Sequence, residues 1–442
     1  MGRIITRHIL AVAATLAAAV PVSAQARLPL SDAISRAMAQ NPDAGSAAAI
    51  EREAAARVTQ ARGSYLPRVD VAQSWQRGNN PVFAFSSRLA QQHFTQADFA
   101  LEALNRPAAA NNIRTSISVE QSLFDRTAAA HVRAAAIARH MAATGSRLVA
   151  HDLASTVTEA FGRVLIAAAT VRSTAAAVET ARADRELAGN RRDAGCVTDA
   201  DVLQLDVYVA LTREREVQAM ADERIARARL NQLMGEPLSM VFDLDPAPAA
   251  GAIDIARQGA LEDEAVTNRP EVALARQQEQ LARAAADTAR AAFLPHVSAQ
   301  GGLELNAGAW QSRSSSWMAA AVVQVNVFRG FADRARLTEA REQVKRRAIE
   351  TGKAETMARL DVQVAIARLE AARASEAVGR AAADRARESR RIVRDRYESG
   401  LTDAAMLLRA ADAVQQAEAQ QIAARVNVLT ATAALLRATG RQ

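Results

Sequence analysis

The chain shows two patterns of apolar and polar side chains, one with a period of two residues and one with helical spacing. Over residues 113–123 apolar and polar side chains alternate, and the same alternation recurs over about 69–76, 297–307 and 317–328. Because successive side chains of a β-strand point to opposite faces, these four stretches predict strands with one apolar and one polar face. Strands of about ten residues with this pattern are typical of tilted strands that cross a bilayer as part of a closed barrel.

The rest of the sequence shows helical spacing over unusually long distances. Residues 126–193 contain no proline and little glycine, which predicts a single helix about 100 Å long. With a returning helix after a glycine turn, the first pair of long helices covers about 126–235, and a second pair covers about 331–439. A shorter helix is predicted from Ser31, whose hydroxyl can cap it, to about Arg62, with an interruption near Asn41-Pro42. Alanine-rich helices of this length predict coiled-coil packing.

The chain contains two similar halves. Asn41-Pro42-Asp43 aligns with Arg269-Pro270-Glu271, and at the same offset Tyr65-Leu66-Pro67 aligns with Phe293-Leu294-Pro295. An insertion in the first half then shifts the register, which predicts a first repeat over 25–245 and a second over 246–442. The insertion falls in residues 77–112, which we predict to be a long outer loop, or else a segment whose aromatic side chains partly cover a barrel mouth.

The first 24 residues have the pattern of a secretory signal. Arg3 and Arg7 precede an apolar run over 9–20, and small residues at 22–24 form a cleavage site, so residues 1–24 are predicted to be a signal peptide. The run is too short to span a bilayer, and no later stretch of roughly 18 consecutive apolar residues is free of charge. A membrane location therefore requires a closed β-barrel. Because the smallest such barrels have about eight strands, four strands require two or three copies of the chain.

Composition argues against other common classes of function. The formal net charge is +7 and the pI is near 10.4, almost wholly because of arginine, since lysine occurs only at Lys345 and Lys353. Acidic residues interleave with the arginines, as in 213–216, which indicates solvated helix faces rather than a nucleic-acid-binding patch. The single cysteine, Cys196, allows no intramolecular disulfide, and the sequence lacks phosphate-loop, zinc-protease and hydrolase-elbow motifs. We therefore expect no cofactor, no metal, no enzymatic activity and no nucleic-acid partner.

The ordered set of these features, present in both halves, resembles the TolC-like outer-membrane efflux proteins, also called outer membrane factors. The resemblance is carried by the signal, the aligned helix-to-strand joints, the two glycine turns, and the strand exits at Leu123-Phe124-Asp125 and Val327-Phe328-Arg329-Gly330. It implies a mainly α fold with β-structure: a long α-helical barrel in the periplasm, and a trimeric, twelve-stranded transmembrane β-barrel with four strands per subunit. It also implies a location in the outer membrane, with contact to outer-membrane lipid.

The resemblance further implies a channel subunit of a tripartite efflux system. The homotrimer would meet a periplasmic adaptor protein, which links it to an inner-membrane pump, and it would serve as a passive exit duct for small molecules. Two alternatives stay open. One is a duct for type I protein secretion. The other is a soluble periplasmic coiled-coil scaffold or adaptor, although a purely helical rod has no use for the alternating strands.

The resemblance also assigns roles to the two helix turns. The residues that match adaptor-contact tips are Ala194, Gly195, Cys196, Val197, Thr198, Ser399, Gly400, Leu401 and Thr402. Asp199, Asp201 and Asp403 are candidates for a negatively charged ring at the periplasmic entrance, which would favour cations, or else for ordinary helix N-caps. Met406 stands opposite Asp201 in the second half, and Arg409 occupies a place where some relatives carry another gate aspartate, so the sequence leaves an aspartate gate in question.

Overall fold

A computed structural model of the protein describes residues 27–245, 253–310 and 312–441. Within these residues, one four-stranded antiparallel sheet is continuous with two hairpins of long helices. The predicted signal peptide, residues 1–24, lies outside the described residues. The described part has the predicted fold class, mainly α with a small amount of β.

The first half begins with two helices that meet at Asn41. The side-chain oxygen of Asn41 accepts a hydrogen bond from the Asp43 N–H at 2.8 Å, which caps the second of them. Farther along, the Asp125 carboxylate accepts from the Thr127 N–H at 2.8 Å and starts the longest helix directly after a strand. The elements are α1 (Leu30–Gln40), α2 (Pro42–Arg62), β1 (Arg68–Gly78), α3 (Pro81–Ala90), α4 (Leu101–Asn105), β2 (Ala110–Phe124), α5 (Arg126–Asp193) and α6 (Asp199–Met234).

The second half repeats this order without the two short helices between its strands. Its elements are α7 (Gln258–Asn268), α8 (Pro270–Ala291), β3 (His296–Ala307), β4 (Ser314–Gln324), α9 (Ala332–Glu398) and α10 (Ala404–Thr439). Buried side chains occupy equivalent places in the two helical cores. Val157, Leu230 and Ala37 pack together around α5, and their counterparts Val362, Leu435 and Ala265 pack together around α9. The internal two-fold repeat predicted from the sequence is therefore present in the packing as well.

The predicted boundaries of β4, 317–328, are wrong at both ends. The strand covers Ser314–Gln324, and its last partner is His296, the first residue of β3. Pro295 precedes His296 and has no backbone N–H to donate, so the ladder ends there although valines continue to alternate beyond Gln324. The chain then turns into α9 through Phe331, which has a φ of +66°.

Two further predictions are corrected near the N-terminal helices and the insertion. Ser31 does not cap α1; the helix begins at Leu30 and its N-cap position is Pro29. Residues 77–112 are not a long loop, because β1 continues to Gly78, β2 begins at Ala110, and α3 and α4 fold between them. A short 3₁₀ turn, Gln96–Phe99, separates these two helices.

The sheet has the order β1-β2-β3-β4, and its register separates the two kinds of side chain. Val71 pairs with Ile117, Ile117 with Leu303, and Leu303 with Trp317, so these four side chains share one face. We call it the apolar face; its Trp317 is 81% exposed in the single chain. The opposite or polar face carries residues such as Ser116, Ser118 and the ion pair between Arg114 and Glu304.

The longest helix contains an apolar stretch that needs a separate explanation. An 18-residue window of α5 has a mean hydropathy of 1.3, so by length and composition it could cross a membrane. Much of this value comes from alanine, and α5 packs against α2, α6, α8 and α10. Small side chains let helix axes approach closely, so we interpret the stretch as the packing surface of a helical bundle.

The returning helices of the two halves end in the same way. Gly235 after α6 and Gly440 after α10 have φ values of +71° and +75°. A Cβ at Gly235 would lie 2.8 Å from the Gln40 carbonyl oxygen, and one at Gly440 would lie 2.9 Å from the Asn268 carbonyl carbon. Both positions therefore need glycine, because only glycine adopts this backbone conformation without strain and leaves room for the neighbouring chain. At Gly235 that neighbour is the end of α1, and at Gly440 it is the end of α7.

Replacing Gly440 with alanine should lower stability, because the left-handed conformation alone costs about 1–3 kcal/mol for a non-glycine residue. Gly352→Ala is the matched control, since Gly352 lies inside α9 with open space at its Cβ position. There alanine should stabilise the helix by about 0.5–1 kcal/mol. Thermal unfolding followed by far-ultraviolet circular dichroism measures both effects. Equal upward shifts of the two midpoints would contradict the role given to Gly440.

Candidate functional site

The two helix turns at the far end from the sheet have the same backbone geometry. In the first, the Cys196 N–H donates to the Arg191 carbonyl at 2.8 Å, and Gly195 has a φ of +74°. In the second, the Leu401 N–H donates to the Arg396 carbonyl at 2.8 Å, and Gly400 has a φ of +75°. This is the Schellman ending, which satisfies carbonyls that the helix leaves free and requires a left-handed residue. Gly195 and Gly400 are thus explained by helix termination alone.

The predicted tip residues form one exposed surface of each subunit. A buried cluster of Ala188, Val202, Leu205, Tyr397, Ala404 and Leu407 packs directly behind both turns, so the turns lie at the same end of the molecule. Val197 and Thr402 are half-buried, and the remaining predicted residues of the two turns are exposed: Ala194, Gly195, Cys196, Thr198, Ser399, Gly400 and Leu401.

Two of the three candidate gate carboxylates are occupied as helix caps. The Asp201 carboxylate accepts from the N–H of Thr198 at 2.9 Å and from its hydroxyl at 2.8 Å, which completes a capping box with Thr198 as the N-cap of α6. Asp403 caps α10 by accepting from the Met406 N–H at 2.9 Å. Asp199 is different: its side chain is 84% exposed and lies 3.7 Å from Arg192.

A buried ion pair near the tips was not predicted from the sequence. Asp184 of α5 is 2% exposed, and its carboxylate accepts from Arg390 Nη2 of α9 at 2.9 Å. Arg394 Nε approaches the same carboxylate at 3.9 Å. The pair joins the α5–α6 hairpin to the α9–α10 hairpin just above the turns. A charge pair buried in this way is sensitive to the loss of either partner.

The side chain of Arg191, in the last turn of α5, covers the ring of Tyr397, which lies near the end of α9. The Arg191 guanidinium carbon lies 5.0 Å from the centre of the Tyr397 ring, within the range of a cation–π contact. Burial raises the pKa of the Tyr397 hydroxyl, and the nearby Arg191 charge opposes this rise. A Cβ at Gly400 would lie 3.2 Å from Arg191 Nη2, so this arginine also rests against the second turn.

A third polar contact joins α6 to α10 farther from the tips. The Tyr208 hydroxyl donates to Asp412 Oδ1 at 3.4 Å, and Arg215 Nη1 donates to the same oxygen at 3.1 Å. Burial, together with the Asp412 charge, raises the pKa of Tyr208 to about 12. Tyr208 therefore stays protonated and remains a donor throughout the physiological pH range. Together the three contacts join the two hairpins of one subunit at the tip and for several helical turns above it.

The outer membrane efflux protein family matches residues 33–236 and 261–441. The chain belongs to this family. Among curated proteins it is similar to Protein CyaE of Bordetella pertussis, with 28% identity over 422 residues that cover 93% of this chain and 84% of CyaE. This family member accordingly belongs to the outer membrane, with helices that extend into the periplasm, and the TolC-like resemblance and the location predicted from the sequence are confirmed.

Solved structures support the same fold at low sequence identity. VceC, an outer membrane protein of Vibrio cholerae, matches with a TM-score of 0.77 and 16% identity over 93% of this chain and 96% of VceC. The outer membrane channel MtrE of Neisseria gonorrhoeae in its open state matches with a TM-score of 0.73 and 17% identity, over 93% of this chain and 89% of MtrE. MtrE is a channel by its description, and these two structures share the fold of this chain. The function of an outer-membrane efflux channel predicted from the sequence is confirmed by the family. The roles of the tip residues and gate carboxylates stay predictions.

Asp184→Asn should lower the stability of the tip region, because it leaves Arg390 without its buried counter-charge. Breaking such a pair by removing one partner typically costs about 3–5 kcal/mol. The double variant Asp184→Leu with Arg390→Met should recover most of that loss, since it removes both charges together. Thermal unfolding of the detergent-purified protein measures the effect.

Asp206→Asn is the matched control for this prediction. Asp206 pairs with Arg185 at 2.8 Å, one helix away from Asp184, but that pair lies on the surface. Exposed ion pairs contribute little to stability, so the midpoint should stay nearly unchanged. If the two single variants behave alike, the pair between Asp184 and Arg390 does not stabilise the tip.

Proposed function

We propose that three copies of this outer membrane efflux protein close into one channel, which acts as a passive exit duct for small molecules. The main observation in support is that the sheet of a single subunit has two open edges. β1 and β4, each 11 residues long, form the edges of the sheet, and their outer backbone groups have no ladder partner among the described residues. In lipid such edges cannot persist, and closure of twelve strands from three copies satisfies them.

The long helices support the same closure. Exposed apolar side chains of α9 follow a seven-residue period at Met357, Val364, Val378 and Ile392, the spacing of a coiled-coil seam. The exposed apolar side chains of α6 include Leu203 and Val217, which are fourteen residues apart and so lie at the same position of two heptads. In the single chain α6 packs on α5, and α9 packs on α8 and α10, which leaves these stripes at opposite sides of the subunit.

The heights of the two stripes also agree. Leu203 lies eight residues after Gly195 and Ile392 eight residues before Gly400; Val217 and Val378 lie twenty-two residues from the same glycines. Because the helices run antiparallel from turns at the same end, residues equally far from the glycines lie at nearly the same height, to within about two residues or ~3 Å. We therefore pair α6 of one subunit with α9 of the next.

Oxidation of a Val217→Cys, Val378→Cys variant should link neighbouring subunits, in a Cys196→Ser background that removes the single native thiol. A disulfide requires Cα atoms within about 7 Å of each other. The control pair, Val217→Cys with Met357→Cys, places the second thiol about 30 Å higher and should stay unlinked. Denaturing gel electrophoresis should show bands of two and three chains for the first pair only. Linking of the control pair instead would contradict the proposed seam.

In the closed barrel the apolar face contacts lipid and the polar face lines the channel. Ile117→Arg should therefore impair insertion, because arginine on the lipid face near the bilayer midplane costs about 2–4 kcal/mol. Ser116→Arg, one residue away on the polar face, should be tolerated. The amount of each variant in the outer-membrane fraction tests this. Equal loss of both variants, or selective loss of Ser116→Arg, would contradict the orientation.

We assign the two exposed glycine turns to contact with a periplasmic adaptor that links the channel to an inner-membrane pump. Their shared exposure at one end of the subunit supports this role. Of the candidate gate carboxylates, we retain Asp199 for the entrance, because Asp201 and Asp403 act as caps.

The experiment that tests the proposal as a whole is extraction of the outer-membrane fraction in detergent, followed by light scattering corrected for detergent. A particle of three mature chains that conducts ions in a planar bilayer is the expected result. A soluble particle of one or two chains would overturn the channel. For the cargo, deletion should sensitise cells to toxic small molecules; loss of a secreted protein without such sensitivity would indicate protein secretion instead.

A further inference from the structure

The segment between β1 and β2 is a folded unit with its own small core. We call residues 79–109 the insert; it contains α3, the 3₁₀ turn and α4. The Phe85 and Phe94 rings meet edge to face at 4.7 Å, and Phe94 meets Phe99 in the same way at 5.0 Å. Arg88 forms an ion pair with Asp98, which also accepts from the Thr95 N–H at 2.8 Å. These contacts give the insert a fixed shape.

A buried glutamine, Gln91, links the insert to β2, β3 and β4 through hydrogen bonds. Gln91, which follows α3, is 6% exposed, and its amide donates to the Asn111 carbonyl at 2.7 Å and to Asn112 Oδ1 at 3.1 Å. The Asn112 amide donates in turn to Asn306 Oδ1 at 3.0 Å. The Ser314 hydroxyl donates to the Gln91 carbonyl at 2.6 Å. Buried amides joined in this way hold the insert against β2, β3 and β4.

All the strand side chains in this network belong to the polar face. Asn306 pairs with both Arg114 and Ser314, so these three residues share a face, and Asn112 alternates with Arg114 on the same side. Gly308 follows in the same alternation, and a Cβ there would lie 3.0 Å from Gln91 Oε1. The Gln91 side chain therefore rests on the polar face, which lines the channel in the proposed barrel.

The start of α3 rests on the same face at the other edge of the sheet. Gly78 is the last residue of β1 and alternates with Ser74 and Gln76 of the polar face; a Cβ at Gly78 would lie 3.5 Å from the Phe83 ring. From Phe83 to Gln91 a helix rises about 12 Å, close to the roughly 14 Å that separates the first and fourth strands of a sheet. Helix α3 therefore crosses the far end of the polar face from β1 to the β3–β4 turn.

We propose that the three inserts of the trimer meet on the channel axis and close its outer mouth. The inference rests on the proposed trimeric barrel. Twelve strands spaced about 4.8 Å apart and tilted by about 40° enclose a cylinder roughly 24 Å across between backbones. A helix with its side chains is about 10–12 Å thick, so three helices on the inner wall fill this width.

The exposed apolar side chains of the insert fit this arrangement. Val82 and Leu101 are each 78% exposed in the single chain, and Leu89 and Phe99 are also exposed. Contact between the three inserts would remove such surface from water, which is favourable in proportion to the apolar area buried. The occupant of this surface is thus a second and third copy of the same insert.

Access to the channel wall from outside the cell tests the closure. Ser118→Cys places a thiol on the polar face of β2, in a Cys196→Ser background. A polyethylene-glycol maleimide narrower than the open barrel is added to intact cells, and its rate of reaction is measured. Trp310→Cys, at the exposed turn between β3 and β4 and outside the insert, should react quickly in every variant and serves as the reference.

We expect slow reaction of Ser118→Cys with the native insert. Gln91→Ala should raise the rate about tenfold, which corresponds to about 1.4 kcal/mol and is typical for the loss of a buried hydrogen-bonding partner. Gln96→Ala, at an exposed glutamine of the same insert, should leave the rate unchanged. Replacement of residues 81–107 by a short glycine-serine linker should give the fastest reaction, and it tests closure even if Gln91→Ala fails to fold.

Two outcomes separate failure of the closure from failure of the barrel. Equally fast reaction of Ser118→Cys with the native and the shortened insert would show an open mouth and overturn the inference. In the shortened variant, a small sulfonated maleimide should reach Ser118→Cys and not Ile117→Cys on the lipid face. The reverse preference would overturn the proposed orientation of the barrel itself.

Discussion

The structure depends on the requirement that every backbone N–H and C=O group be paired where the chain crosses lipid. Four strands joined in the order β1-β2-β3-β4 cannot meet this requirement alone, because two strands always remain at the edges. The helices share the same limitation: α6 and α9 carry their apolar stripes at the two sides of the subunit. In the proposed trimer, the same contacts between subunits complete both the sheet and the helical tube, and neither part is finished in the single chain.

Duplication accounts for much of the architecture, and the contacts between the halves explain where they diverge. Structural requirements within a half are repeated: Gly235 and Gly440 end equivalent helices, and Val157 and Val362 occupy equivalent cores. The contacts between the halves described above join positions that do not correspond in the two halves. Arg191 covers Tyr397, and Asp184 pairs with Arg390, whereas the residue equivalent to Asp184 in the second half is Ser389.

The same distinction separates what could be predicted from the sequence from what could not. Long periodic elements are determined locally, so the predicted limits of α5, 126–193, agree with the structure, and four strands were found by their alternation. The end of β4 depends on its neighbour, because pairing stops at Pro295 of the adjacent segment. The fold of the insert depends on contacts among Phe85, Phe94 and Phe99, which spacing alone does not reveal. The buried pair of Asp184 and Arg390 is 206 residues apart in sequence, and many similar charges lie on exposed helix faces.

The kinds of contact differ along the length of the subunit. Between the ends the subunit is held by apolar clusters around Phe161 and Leu369, and α5 continues without a proline from the β2 exit to the tip. Separating such clusters exposes apolar surface to water, which is costly in proportion to area. At the tips and at the insert the apolar clusters are smaller, and hydrogen bonds and ion pairs such as those of Arg390 and Gln91 add to them. Water can replace these partners as they separate, so the net cost of parting them is smaller than their strength in isolation. Separating the polar contacts at the two ends therefore costs less than separating the apolar clusters between them.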